Sequence, residues 1–74
     1  MSPALSDLPV RKVVPVLESI GFYYVRTKAS HAVYRDADGR VAIIPQHGVV
    51  KRSTLASILR QAGLTPAEFL KLLD

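Results

Sequence analysis

Two histidines, His31 and His47, are the residues of this 74-residue chain best suited to acid–base chemistry. Each stands at the end of a predicted strand, beside small or turn-forming residues. Imidazole exchanges protons near neutral pH, and a positioned acid or base accelerates a reaction by about 10²- to 10⁴-fold. Cleavage of RNA needs a base for the 2′-hydroxyl, an acid for the leaving oxygen and cations around the phosphate. No metal is required for that chemistry.

Cations and a hydroxyl surround His31 in the sequence. Arg26 and Lys28 precede it, Ser30 is adjacent to it, and Arg35 shares its strand parity. We expect these side chains to be within reach of one phosphate. The same pattern also fits a solvated basic edge on which His31 is an ordinary surface residue, so both interpretations remain open at this point.

The second histidine, His47, lies in the turn-forming segment 45–48, where we expect it to support a turn rather than to catalyse. Lys51 and Arg52 stand just before a predicted helix. A helix N-terminus and neighbouring cations together favour a phosphate, and a solvated loop is the alternative.

Other chemistry finds little support in the sequence. The absence of cysteine excludes disulfides, thiol catalysis and cysteine zinc sites. The two histidines stand sixteen positions apart with no carboxylate at ligand spacing, so we predict no metal site and no cofactor. A glycine-rich phosphate loop and a nucleophile elbow are also missing. The tyrosines could stack on bases, but in strands of so small a domain they more often belong to the core (Tyr23, Tyr24 and Tyr34).

The composition indicates one globular domain with a polyanionic partner. Ten Lys and Arg against six Asp and Glu give a net charge of +4, which favours nucleic acid or an acidic protein. No apolar run approaches the ~20 residues of a membrane span, and the N-terminus lacks the order of a signal peptide. We therefore expect a cytoplasmic protein that does not contact membranes.

The first predicted element is an amphipathic helix over residues 10–20, in which apolar residues recur at helical spacing. Pro9 suits its first turn, and Gly21 suits its end. Pro15 lacks a backbone donor, which predicts a kink or a late helix start.

Three strands are predicted over residues 22–26, 31–35 and 40–44, which are rich in aromatic and β-branched residues. The segment 36–39 has turn chemistry, and the short connection 28–30 joins the first two strands. We therefore expect an antiparallel meander.

Two helices follow the predicted strands. Ser53 is the expected N-cap of the first, and Gly63 ends it. A capping box over 65–68 opens a short final helix, whose predicted apolar residues are Phe69, Leu70 and Leu73. The prediction is an α+β fold in which a three-stranded antiparallel sheet packs on helices. Its order, α-β-β-β-α with an extra short C-terminal helix, resembles the double-stranded RNA-binding domain. Residues 1–74 form one domain, in which 1–8 are expected to be a loosely ordered arm.

Several separated segments, from about residue 9 to the end, together resemble the HicA family of toxin mRNA interferases. They are Gly21-Phe22, Arg26-Thr27-Lys28, Ala29–Tyr34, Ile44–Gly48, Lys51–Leu64 and Glu68-Phe69.

The resemblance implies a toxin endoribonuclease that blocks translation, with the double-stranded RNA-binding fold and a catalytic histidine in a Gly-Ser-His motif. That role falls on His31. It also implies neutralisation by a HicB-type antitoxin, in a larger hetero-oligomer that binds operator DNA through the antitoxin, as part of a stress-response toxin–antitoxin system. The alternatives are a non-catalytic double-stranded RNA-binding module and an interaction module for an acidic protein.

Two glycines usual in the family are replaced in this chain. Ala29 opens the motif, and Ser53 stands before Thr54. Because alanine disfavours positive φ, we expect the turn that presents His31 to differ slightly.

Overall fold

A computed structural model describes residues 4–73. Three helices pack against one face of a three-stranded antiparallel sheet, and a two-stranded sheet lies beside them. In chain order the elements are β1 (Leu8–Pro9), α1 (Val10–Ser19), β2 (Tyr23–Lys28), β3 (His31–Arg35), β4 (Val41–Pro45), β5 (Val49–Val50), α2 (Arg52–Ala62) and α3 (Pro66–Leu72). The predicted α+β architecture is confirmed. No helix in this part of the chain is long and apolar enough to span a membrane.

The main sheet is the predicted meander, with strand order β2-β3-β4. β3 is central and pairs on both sides, so that His31 faces Lys28 on β2 and Pro45 on β4. A bulge interrupts the pairing of β2 between Tyr24 and Arg26. This bulge changes which side chains of β2 share a face.

The turn between β3 and β4 is built around the carboxylate of Asp36. Oδ1 of Asp36 accepts hydrogen bonds from the backbone N–H groups of Asp38 (3.1 Å) and Arg40 (2.8 Å), and Oδ2 lies 3.3 Å from the Arg40 guanidinium. Gly39 supplies the positive φ of +86°. Burial raises the pKa of Asp36, but the hydrogen bonds and the charge of Arg40 outweigh it and hold that pKa below its ordinary value.

One apolar core joins the inner face of the sheet to the helices. Its fully buried large side chains are Val13, Leu17, Ile44, Val50, Leu55, Ile58, Leu59 and Phe69. α1 begins directly after Pro9 and continues through Pro15, so the alternative of a late helix start is wrong. Pro15 forgoes a single bond to the carbonyl of Arg11, and both residues are exposed, so water can satisfy that carbonyl.

The start of α2 differs from the prediction. Lys51, not Ser53, is the N-cap, and it makes no side-chain cap bond. The carboxylate of Asp7 serves instead, because its Oδ1 accepts a 2.8 Å hydrogen bond from the backbone N–H of Arg52. Ser53 therefore lies inside the first turn of the helix, where φ is not positive and the usual family glycine is not needed.

The segment before α1 is more closely held than the expected loose arm of residues 1–8. Leu8 pairs with Val50, and Leu5 and Leu8 pack against the core. Residues 1–3 lie outside the described part of the chain. The short strands β1 and β5 were not predicted from the sequence, since two-residue pairings leave no periodicity.

α3 opens with the predicted capping box. The backbone N–H of Glu68 donates to Oγ1 of Thr65 (3.1 Å), and the carboxylate of Glu68 accepts from the Thr65 backbone N–H (2.8 Å). The backbone and side-chain bonds with Thr65 lower the pKa of Glu68. Of the apolar residues named for this helix, Phe69 is fully buried, whereas Leu70 is exposed.

Candidate active site

A two-residue turn, Ala29-Ser30, presents His31. Lys28 and His31 are directly paired across it, and of the two turn residues only Ala29 has a positive φ, of +56°. A positive φ in a two-residue hairpin turn is a conformation that glycine normally adopts. Alanine therefore holds a positive φ that glycine would adopt more easily, at a cost in strain.

The outer face of the main sheet is the face turned away from the helices. Cross-strand partners in an antiparallel sheet project from the same face, and side chains two apart on a strand do so as well. The register therefore places nine side chains on the outer face in three rows. The rows are Lys28–His31–Pro45, then Arg26–Val33–Ile43, then Tyr23–Arg35–Val41.

His31 stands at one end of the outer face, exposed, at the edge of an open hollow of about 370 Å³. We call this the His31 hollow. It is lined by Lys28, Ala29, His31, Val33 and Ile43. The imidazole of His31 therefore borders an apolar floor, with the ammonium group of Lys28 directly across the strand pair.

The cations predicted around His31 share its face. Lys28 lies beside it in the first row, Arg26 in the second and Arg35 in the third. All three are exposed, and none forms an ion pair with another residue in the range 4–73. Because none of the nine outer-face positions carries a carboxylate, the face presents positive charge alone.

Ser30 links the His31 turn to the loop that follows β4. Its carbonyl accepts a 2.9 Å hydrogen bond from the backbone N–H of Gln46. The segment that carries His47 is thereby fixed to the same end of the sheet as His31. Ser30 itself is exposed, next to the hollow that its neighbours line.

His47 borders a different hollow, of about 560 Å³, between the start of α1 and the loop after β4. Its lining consists of Pro9, Val10, Arg11, Val14, Gln46, His47, Gly48 and Val49. The two hollows share no lining residue. His47 therefore lies at the same end of the sheet as His31 but borders a different hollow.

Lys51 and Arg52 flank the start of α2 and line neither histidine hollow. The backbone N–H of Arg52 is already bonded to the carboxylate of Asp7. The predicted phosphate position at this helix end therefore has an anionic side chain of the protein in place. Both cations are exposed and add to the positive field of the molecule.

The three tyrosines have three different environments. Tyr34 is buried in the core, and burial, with the nearby Glu18 carboxylate and Tyr24, raises its pKa. Tyr24 meets Tyr34 edge to face, with ring centroids 5.8 Å apart, and its hydroxyl lies 2.6 Å from Oγ1 of Thr27. Tyr23 is 52% exposed on the outer face. The expectation that the tyrosines more often belong to the core holds for Tyr34 but not for the exposed Tyr23 and Tyr24.

Two apolar residues of the His31 hollow, Val33 and Ile43, were not among the predicted site residues. Val33 is two residues from His31 and shares its parity, so the sequence did carry a signal for it. Ile43 reaches the hollow only through the β3–β4 register. Within residues 4–73, no three histidine or carboxylate side chains come close enough to hold a metal ion.

A family model described as the HicA toxin of bacterial toxin–antitoxin systems matches residues 10–64. A search of curated proteins found no match. The matched residues contain α1, the main sheet and α2, and therefore include His31 and the whole outer face. Members of this family are generally mRNA-cleaving ribonucleases that act as the toxin of a toxin–antitoxin pair. Since the match covers most of the chain, this protein belongs to the HicA toxin family.

Proposed function

We propose that this protein is a metal-independent endoribonuclease toxin that cleaves mRNA, with His31 as its catalytic residue. The observation that carries the proposal is the position of His31. It is exposed, it is paired with Lys28 across a tight turn, and it stands on a basic face without carboxylates. That arrangement suits a polyanion whose phosphate meets a proton-transferring group.

The reaction follows from the groups available. The 2′-oxygen of a ribose attacks the adjacent phosphorus, a bond to phosphorus forms, and the bond from phosphorus to the 5′-oxygen breaks. The 2′-hydroxyl gives up one proton and the leaving 5′-oxygen gains one, so the products are a 2′,3′-cyclic phosphate and a 5′-hydroxyl. His31 performs one of these two transfers, and water or a cation assists the other.

Positive charge supplies the second part of catalysis. The phosphate gains negative charge as the 2′-oxygen attacks, and preorganised cations stabilise that charge. Lys28 is directly opposite His31, and Arg26 is one row away. We assign these two cations to the scissile phosphate, with the Ser30 hydroxyl beside them. Arg35, Lys51 and Arg52 hold more distant phosphates, and His47 supports the loop joined to the His31 turn.

The proposed inhibitor is a HicB-type antitoxin that covers His31. The exposed face with net positive charge fits an acidic protein surface as well as RNA. In this proposal the pair forms a larger complex in the cytoplasm, and the complex binds its operator DNA through the antitoxin.

The test is cleavage of RNA by purified protein in EDTA, with His31→Ala and His47→Ala compared. We expect His31→Ala to lose about 10²- to 10⁴-fold in rate and His47→Ala to lose much less. Induction of the wild type should arrest growth, and induction of His31→Ala should not. Equal cleavage by His31→Ala would reject the catalytic assignment. Salt-sensitive binding without products would indicate an RNA-binding module instead.

A further inference from the structure

We infer that Tyr23 and Arg35 form a second nucleotide subsite on the outer face, in which Tyr23 stacks on a base of single-stranded RNA and Arg35 holds its phosphate. The inference rests on the proposed function, since it concerns the same RNA strand. It adds a base-contacting position remote from His31.

The exposure of Tyr23 carries the first step. Its ring is 52% exposed on a sheet face that no helix covers, and no hydrogen bond or aromatic pair joins it to another residue in the range 4–73. Tyr24 is similarly exposed but contacts both Tyr34 and Thr27. The packing of the domain therefore accounts for Tyr24 and leaves Tyr23 available to a ligand.

The partner of Tyr23 across the strands indicates the chemistry of that ligand. Arg35 is its direct cross-strand neighbour, and it is exposed and without an ion pair among the described residues. In the nearby turn, the carboxylates of Asp36 and Asp38 both lie against Arg40, at 3.3 and 3.5 Å. An aromatic face beside an unpaired guanidinium matches a nucleotide, which offers a base to stack and a phosphate to bind.

The spacing fits one continuous strand of RNA. Arg35 lies four residues beyond His31 on β3, which corresponds to about 13 Å at about 3.3 Å per residue. Stacked nucleotides advance by about 3.4 Å, so at most about four nucleotides separate the two positions. The second row between them offers Arg26 for the backbone and Val33 and Ile43 as an apolar floor.

A sheet face that exposes an aromatic ring favours unpaired bases. The bases of a duplex are stacked on one another, and their faces are not accessible to Tyr23. The subsite therefore selects single-stranded RNA, and it should increase the affinity for strands long enough to reach it.

The test measures binding in a His31→Ala background, so that the RNA is not cut. The probes are a labelled adenosine dinucleotide and a labelled adenosine hexanucleotide, and their binding is measured by fluorescence anisotropy. We expect the hexanucleotide to bind more tightly than the dinucleotide. In Tyr23→Leu, the gain in affinity from dinucleotide to hexanucleotide should fall about tenfold, which is within the range that base–aromatic stacking supplies. Tyr23→Phe should retain the gain, because the ring and not the hydroxyl stacks.

Matched variants separate stacking from charge and from folding. Tyr24→Leu removes a tyrosine of equal exposure from the same strand and should preserve the gain, with folding checked by circular dichroism. Arg35→Gln should lower the slope of log affinity against log salt by about 0.7, whereas Tyr23→Leu should leave that slope unchanged.

Three results would overturn the inference. Unchanged hexanucleotide affinity in Tyr23→Leu would remove the stacking role. Loss of antitoxin binding in Tyr23→Leu, without loss of RNA binding, would assign the outer face to a protein partner. Equal affinity for single-stranded and duplex RNA would contradict the selection of unpaired bases. Wild-type cleavage that depends on His31 would persist in each case, so these failures are distinct from failure of the proposed function.

Discussion

The turn that presents His31 should become more stable when Ala29 is replaced by glycine. Ala29 holds a φ of +56°, a conformation that costs an L-residue roughly 1–2 kcal/mol. Glycine removes this cost but loses more entropy on folding, by roughly 0.5–1 kcal/mol. The difference predicts a net stabilisation of about 0.5–1 kcal/mol for Ala29→Gly.

Thermal unfolding provides the assay. In a domain of this size, 1 kcal/mol corresponds to about 4–8 °C in Tm, so Ala29→Gly should melt about 2–8 °C higher. Ala37→Gly is the matched control, because Ala37 is also exposed in a hairpin turn but does not have a positive φ. At position 37 glycine adds only its entropic cost, so the Tm of Ala37→Gly should lie below that of the wild type.

The cleavage rate distinguishes strain from a role in catalysis. The backbone of the turn is already the one that glycine favours, so Ala29→Gly should keep His31 in place and change the rate little. An Ala29→Gly variant that melts at or below the wild type would refute the strain argument. So would a rise of Tm in Ala37→Gly equal to that in Ala29→Gly.

Further predictions concern the elements that hold the sheet and helices together. Asp7→Ala should lower the free energy of unfolding by about 0.5–2 kcal/mol because α2 loses its cap, whereas Ser6→Ala should have no effect in the same urea titration. Because the pKa of Asp36 is lowered in the folded protein, its carboxylate stabilises the fold fully above the pKa that it has in the unfolded chain. This stabilisation is lost as the pH falls through the pKa of the folded state. Asp36→Asn should therefore be less stable than the wild type at neutral pH, and a difference that does not narrow in acid would contradict this. Phe69→Ala should cost about 3–5 kcal/mol because the side chain is fully buried, while truncation of the exposed Leu70 should cost far less.

The elements with local signals could be predicted from the sequence. The hairpin turn at Gly39, the end of α2 at Gly63 and the capping box from Thr65 to Glu68 each depend on residues within a few positions of one another. Such signals are complete within a short segment. The cap of α2 is different, because Asp7 comes from 45 positions away and no local pattern reports it.

For the candidate site, the sequence names residues but does not give their arrangement. The cations near His31 were identified, but their common face depends on the register of β2 against β3. The bulge between Tyr24 and Arg26 brings Tyr23 onto the face of Arg26, although strict alternation would place Tyr24 there. A bulge of this kind leaves no clear sequence signal, so the sequence does not show that Tyr23 lies on the same face as Arg26.

The domain depends on two residues near its ends, Asp7, which caps α2, and the buried Phe69. Both residues lie outside the segment 10–64 that the family model matches. An excised fragment limited to that segment would expose the cavity left by Phe69 and leave the first turn of α2 without its acceptor. The unit that folds is therefore longer than the segment that the family model matches, and versions shortened to that segment would lose activity through instability while every residue near His31 remained intact.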